Sequence, residues 1–238
     1  MTEQATIYVF RYDPDADGTP HFDRFTVPWL RGMTVLDGLY HILDHQDGSL
    51  SFRASCREGV CGSCAMYISG HYRLACQTLL ESLPEREATV NPLPHLPVLK
   101  DLVVDMEPFF RQYRRIQPYL QPAGELPEKE ILQTPTQRRK LNIHIDCVLC
   151  AACHSSCPLT WADKDFVGPM ALNQAFRWAA DSREDPRRKR LELIDPSVWK
   201  CHTVFNCTEA CPKSIPITTA IESVRHMRLV QRLKFWQR

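Results

Sequence analysis

Eleven cysteines dominate the chemistry open to this sequence. They form three groups: Cys56, Cys61, Cys64 and Cys76; then Cys147, Cys150, Cys153 and Cys157; then Cys201, Cys207 and Cys211. Clustered thiolates are soft ligands for zinc, copper(I) and iron–sulfur centres. A secreted disulfide scaffold would be shorter, begin with a signal segment and carry an even count. The first group runs Ser55-Cys56-Arg57-Glu58-Gly59-Val60-Cys61-Gly62-Ser63-Cys64, with Cys76 arriving from a later segment. This is the plant-type [2Fe–2S] spacing. Gly59 and Gly62 suit a loop that bends tightly and lets backbone approach the sulfurs, where its N–H groups can tune the centre. A structural zinc site is the alternative, although zinc favours shorter paired spacings.

The second group, Cys147-Val148-Leu149-Cys150-Ala151-Ala152-Cys153-His154-Ser155-Ser156-Cys157-Pro158, is the bacterial C-x2-C-x2-C-x3-C-P run. In two-cluster proteins the fourth cysteine of such a run ligates the other cluster. The third group, Cys201-His202-Thr203-Val204-Phe205-Asn206-Cys207-Thr208-Glu209-Ala210-Cys211-Pro212, repeats it with Val204 where the second cysteine should stand. Exchange then assigns Cys147, Cys150, Cys153 and Cys211 to a [4Fe–4S] cluster. It leaves Cys157, Cys201 and Cys207 for the other. A cubane corner facing Val204 lacks a thiolate, so that iron is expected to be absent and the centre to be [3Fe–4S]. Water or another side chain on a fourth iron is the competing reading, which an apolar Val disfavours.

These loops need elements to hold them. Residues 6–12 and 21–27 read as strands around a turn at 13–20, hence a hairpin. Thr34 opens a helix with Asp37 completing a weak capping box, and Val35, Leu36, Leu39, Ile42 and Leu43 form its apolar face. A strand is expected at Ala65–Ile68. From Pro97 the texture turns helical, with Val98, Leu102, Met106 and Phe109 at helical spacing. Residues 117–136, with Pro118, Pro122, Pro127 and Pro135, read as an extended wrap. Helices are expected over 170–180 and 217–233, the latter with Pro216 near its start.

The chain has 238 residues, 44% hydrophobic and 24% charged, which excludes a disordered chain and leaves material for a core. Its net charge of +1 hides an asymmetry: residues 1–105 hold 8 Lys+Arg against 14 Asp+Glu, a net of −6, and the remainder holds 21 against 14, a net of +7. The two halves are expected to face different partners. No apolar run reaches 18 residues, so no segment is expected to span a bilayer. Neither a secretory signal nor an Arg-rich transit segment is legible at the start. The run Arg187-Arg188-Lys189-Arg190 reads as a solvated face, without the aromatic interleaving of a nucleic-acid site.

The cluster loops, the stretch Asp101-Leu102-Val103-Val104-Asp105-Met106 and both Cys-Pro runs together resemble the iron–sulfur subunit of succinate dehydrogenase and its relative fumarate reductase. The likeness covers nearly the whole chain. It implies an α+β architecture: residues 1–105 as a β-grasp, plant-type ferredoxin domain with [2Fe–2S], then 106–238 as an all-helical, bacterial-ferredoxin-like domain with [4Fe–4S] and [3Fe–4S]. It also implies a partner flavoprotein carrying FAD, membrane anchor subunits with a quinone site, and a peripheral position on the cytoplasmic face of a bacterial inner membrane. Electrons would pass from flavin through three clusters to quinone, in the succinate dehydrogenase direction. A quinol:fumarate reductase subunit and a standalone soluble carrier are the alternatives. By position, Pro158, Trp161 and His202 match the family's quinone pocket. Trp161 could donate its indole N–H and His202 could serve a proton relay. The family's tandem Trp after Cys-Pro is replaced by Leu159-Thr160-Trp161, one residue shorter. A core role for Trp161 and a satisfied polar role for His202 compete with these. Arg225, Arg228, Arg232, Lys234 and Arg238 suggest a basic face toward anionic headgroups or the anchor, leaving the acidic half for the flavoprotein.

Overall fold

The computed structural model describes residues 3–16, 18–185 and 189–236, with side chains as far as residue 233. It divides into two compact units. The first comprises Met1–Met106 with Val148–Ser156 and Ala210–Pro212; the second comprises Glu107–Cys147, Cys157–Glu209 and Lys213–Arg238.

In the first unit, β1 (Gln4–Arg11) and β2 (His21–Pro28) pair antiparallel, from Gln4 opposite Pro28 to Arg11 opposite His21. Alternate residues Ala5, Ile7 and Val9 of β1 are buried, as the two-residue period of a one-sided strand requires. Helix α1 (Val35–His45) begins at Thr34, whose side chain accepts from Asp37 N–H while Asp37 accepts from Thr34 N–H. The expected capping box is therefore present, and Val35, Leu36, Leu39 and Ile42 are buried. Gly38 on this helix lets it close on the sheet, since a Cβ there would stand 2.4 Å from Ile7 Cδ1. Strands β3 (Ala65–Ile68), β4 (His71–Leu74) and β5 (Glu87–Asn91) complete a five-stranded sheet of order β2-β1-β5-β3-β4. β1 and β5 run parallel; the other pairs are antiparallel.

One expectation fails in this unit. Residues 98–104 are not helical but form a small hairpin, β6 (Val98–Lys100) with β7 (Val103–Val104). Asp101 decides it. At φ +44 it turns the chain, and its buried carboxylate accepts from Arg11 Nε (3.1 Å), Tyr12 N–H (3.0 Å) and Ser51 N–H (2.9 Å). A buried acceptor with three donors outweighs an apolar period of four.

The second unit is helical. It holds α2 (Glu107–Arg115), α3 (Pro135–Arg139) and α4 (Asn142–Ile145). The short α5 (Ala152–Ser155) falls in the first unit, and α6 (Pro158–Ala162) and α7 (Gly168–Ala179) return to the second. There follow α8 (Arg190–Leu193), α9 (Asp195–Val198), α10 (Asn206–Glu209) and the twenty-residue α11 (Ile217–Trp236). Helix α7 is buried on nearly every side and packs on α11. Residues 117–134 carry neither helix nor strand, as Pro118, Pro122 and Pro127 suggest, but Pro135 and Thr136, expected in the same wrap, open α3, where a first-turn proline needs no N–H partner. The wrap is held by Arg190, which donates to the carbonyls of Ile116, Gln117 and Tyr119 and pairs with Glu184 at 2.9 Å. Glu184 also accepts from Gln121 N–H at 2.9 Å. Arg190 is 0% exposed, so it does not lie on a solvated face. Its five donors are all taken up by three carbonyls and a carboxylate. Arg187 and Arg188 lie outside the described residues.

Candidate metal centres

The first cysteine loop lies between α1 and β3. Backbone N–H groups of Glu58, Val60 and Cys61 all point at Cys56 Sγ, at 3.4, 3.3 and 3.3 Å. Backbone donors aimed at one sulfur are the kind of contact that orients and tunes a metal ligand. Left-handed Arg57, Gly59 and Gly62 (φ +61, +70 and +71) make this curl possible. Cys64 and Cys76 are buried, with Cys76 on the turn Ala75–Gln77 after β4, and Ala75 N–H bonds Cys64 C=O at 2.9 Å. Burial opposes ionisation of Cys61, but donors from Cys56 and Ser63 outweigh it and bring the thiol down to about 6. Cys64 moves the other way, up to about 12, by burial and by its neighbours Cys76 and Cys61. Thiols crowded in this way cannot all ionise unless a cation takes up the charge, and a coordinating iron does so.

The second run meets the first loop inside the same unit. A Cβ on Gly62 would stand 2.4 Å from Val148 C=O and 3.0 Å from Cys150 Cβ. Only a residue lacking that atom, at a φ that L side chains avoid, permits this approach. Ser155 donates to Pro94 C=O and fastens the run to the sheet unit. Cys150, Cys153 and Cys211 belong to the first unit, while Cys147 ends a segment of the second.

The third run repeats the second in its backbone. Cys150 stands between Leu149 (φ +52) and Ala151 (φ +64), and Val204 stands between Thr203 (φ +59) and Phe205 (φ +64). Each is followed by one helical turn, α5 and α10. The missing ligand is thus replaced without disturbing the loop that would present it. Cys157, Cys201 and Cys207 line one cavity of the second unit together with Val204, Phe205, His202 and Thr218. Its free space, including open solvent at the mouth, is about 350 Å³. Burial pushes the Cys157 and Cys207 thiols up, and their mutual proximity with Cys201 adds to it. No disulfide joins any of the eleven cysteines. Among the described residues no three His, Cys, Asp or Glu side chains converge on a single-ion site.

The comparisons with known proteins agree with this geometry. The 2Fe-2S iron-sulfur cluster binding domain family matches residues 6–111, and the 4Fe-4S dicluster domain family matches residues 144–215. The iron-sulfur subunit 1 of mitochondrial succinate dehydrogenase [ubiquinone] from Oryza sativa subsp. japonica is 44% identical over 231 residues, which cover 94% of this chain and 82% of that protein. The succinate dehydrogenase iron-sulfur subunit of Paracoccus denitrificans is 43% identical over 92% of this chain and 86% of its own length. The chain belongs to the succinate dehydrogenase iron–sulfur subunits. A chain of the Mycobacterium smegmatis Sdh1 complex in the apo form is similar across 98% of both chains, at TM-score 0.87 and 27% identity. The subunit's cofactors are therefore iron–sulfur clusters, and it works in electron transfer within a larger complex. No helix among the described residues is long and apolar enough to cross a membrane.

The remaining expected residues of this subunit fall as follows. Pro158 opens α6 directly after Cys157, and Trp161, on the same helix, is 49% exposed, so it is not a core residue. His202 is exposed at the cavity of the third run. The described arginines of α11 already have partners. Arg225 turns onto the third run, donating to Val198 C=O (3.0 Å), Cys201 C=O and Thr203 Oγ1 (3.3 Å), and pairs with Glu222 at 2.7 Å. Arg228 and Arg232 both pair with Asp195. The Lys234 side chain and Arg238 lie outside the described residues. No cysteine spacing marks Arg225 or Thr218 as cluster-loop residues. Only the packing of α11 against the run brings them there.

Proposed function

We propose that this chain is the electron-transfer subunit of a membrane-bound succinate:quinone oxidoreductase, working in the direction of succinate oxidation between the FAD of a partner flavoprotein and a quinone at membrane anchor subunits. Residues 1–105 are the β-grasp ferredoxin-like domain, with Cys56, Cys61, Cys64 and Cys76 holding [2Fe–2S]. Residues 106–238 are the bacterial-ferredoxin-like domain. Its [4Fe–4S] ligands are Cys147, Cys150, Cys153 and Cys211, and its [3Fe–4S] ligands are Cys157, Cys201 and Cys207. The clusters supply one-electron steps between a two-electron flavin and a quinone. The protein contributes ligands, donors to sulfur and water exclusion. Pro158, Trp161 and His202 form this chain's side of the quinone site. Exposure of Trp161 and His202 supports this, because an indole N–H and an imidazole at the surface can reach a quinone held by another subunit. The complex sits on the cytoplasmic face of a bacterial inner membrane.

The observation that carries this reading is the repeated loop with Val204 in the position of Cys150. Metal and acid-labile sulfide analysis with EPR of protein prepared without oxygen tests it. The ligand sets require about 9 iron and about 10 sulfide per chain, summed over [2Fe–2S], [4Fe–4S] and [3Fe–4S]. A three-iron signal is expected when oxidised and a [2Fe–2S] signal on reduction. Zinc in place of iron, or iron with no three-iron signal, would refute it.

A further inference from the structure

Two threonines, Thr208 and Thr218, join the third run to α11, and both hydroxyls lie close enough to the Cys207 sulfur to act on it. Thr218, 3% exposed, lies in the first turn of α11 and lines the cavity with Cys157, Cys201 and Cys207. Its hydroxyl stands 3.8 Å from Cys207 Sγ and 2.8 Å from Thr208 Oγ1. The backbone N–H of Thr218 donates to Thr208 Oγ1 at 3.1 Å. A metal-bound thiolate has no proton to give, so in the O···S contact Thr218 is the donor. Its hydroxyl proton is then committed to sulfur, and the 2.8 Å bond must be donated by Thr208. Thr208 Oγ1 accepts the Thr218 N–H, which stabilises that arrangement. The chain of donors is Thr208 O–H to Thr218 O–H to Cys207 sulfur.

We infer that Thr218, polarised by Thr208, raises the reduction potential of the centre held by Cys157, Cys201 and Cys207. This rests on the reading of those three cysteines as [3Fe–4S] ligands. Adding an electron raises the negative charge on the sulfurs, and a donor aimed at a sulfur binds the reduced state more strongly than the oxidised one. A donor whose own oxygen accepts another O–H is further polarised. Burial keeps water from replacing it. Thr218 thereby favours the electron's residence on this centre, and it is a positioning residue for charge, not a ligand.

The test is a redox titration of the three-iron EPR signal in the intact complex. Thr218→Val keeps the shape and removes the hydroxyl. It is expected to lower the equilibrium constant for reduction about tenfold, which for a one-electron couple is about 59 mV. Thr218→Ser retains the donor and is expected to stay within about threefold of wild type. Thr208→Val removes the donor to Thr218, itself a weaker partner of the Cys207 sulfur, and is expected to shift the constant in the same direction by less. Pulsed ENDOR of the oxidised wild-type centre is expected to show, among the proton couplings lost in D2O, one that is absent from Thr218→Val. Equal constants for wild type and Thr218→Val overturn the inference. So does an equal fall in Thr218→Ser, which would assign the effect to packing. Should Thr218→Val fail to assemble the centre, an unshifted Thr208→Val overturns it instead. Loss of the three-iron signal from wild type itself would refute the ligand assignment rather than the role of Thr218.

Discussion

Val204→Cys is the perturbation that bears most directly on how the third run works. Val and Cys share a Cβ, and the backbone around position 204 matches that around Cys150 to within about 7° in the flanking φ angles. The new sulfur therefore starts from the position at which the second run presents a ligand. The substitution removes roughly one methyl from a residue that is 53% exposed. At about 0.8 kcal/mol per fully buried CH2, half burial costs about 0.4 kcal/mol. That is small against a domain stability of about 5–15 kcal/mol, so the variant should fold and assemble its other centres. Bound iron should rise from about 9 to about 10 per chain with sulfide unchanged. The oxidised three-iron EPR signal should disappear, a reduced four-iron signal should replace it, and the potential should move with the cluster type. The assay is iron and sulfide analysis paired with EPR at both redox poises. Nine iron atoms with an unaltered three-iron signal in well-folded protein would refute the ligand exchange that assigns Cys157, Cys201 and Cys207 to one centre.

Three other expectations follow from particular contacts. Gly62→Ala puts a methyl 2.4 Å from Val148 C=O at φ +71, a strain of about 1–3 kcal/mol, and should diminish the [2Fe–2S] EPR signal and iron content; full occupancy would show that the two loops can separate freely. Arg190→Met leaves Glu184 buried without its ion-pair partner and strips three carbonyls of a donor. A loss of about 3–5 kcal/mol, with faster proteolysis within residues 117–134, is expected, and a change under about 1 kcal/mol would contradict it. At Asp195 burial resists ionisation, but donors from Arg228, Arg232 and Trp199 outweigh it and hold the carboxyl at about 2. A carboxyl lowered from 3.8 contributes stability above that value and loses it as pH falls toward 2. Asp195→Asn should therefore cost about 2 kcal/mol at pH 7, with denaturation midpoints of the two proteins converging near pH 2. A constant gap across that range would mean the ion pairs are not its source.

Much of this protein was legible along the chain because its chemistry is local. Three cysteines within nine residues, and two runs ending in Cys-Pro, dictate cluster loops whatever surrounds them, since one short loop supplies most of each ligand set. The hairpin, α1 with its Thr34–Asp37 box, and β3 follow from short-range periods and a cap. Residues 98–104 misled because Val98, Leu102, Met106 and Phe109 do keep a helical period, and only the arrival of Arg11, Tyr12 and Ser51 around Asp101 turns that stretch into a hairpin. Arg190 read as a surface charge for the same reason: its partners are carbonyls about seventy residues away and invisible to local pattern. Sequence alone determined which residues could bind iron and that one ligand is missing. Tertiary structure decided how the sites are finished: Gly62 against Val148, Arg225 clamped on Cys201 C=O, and Thr218 aimed at Cys207. Hydrogen-bond direction and close approach depend on distances between segments remote in the chain, and no spacing rule encodes those distances.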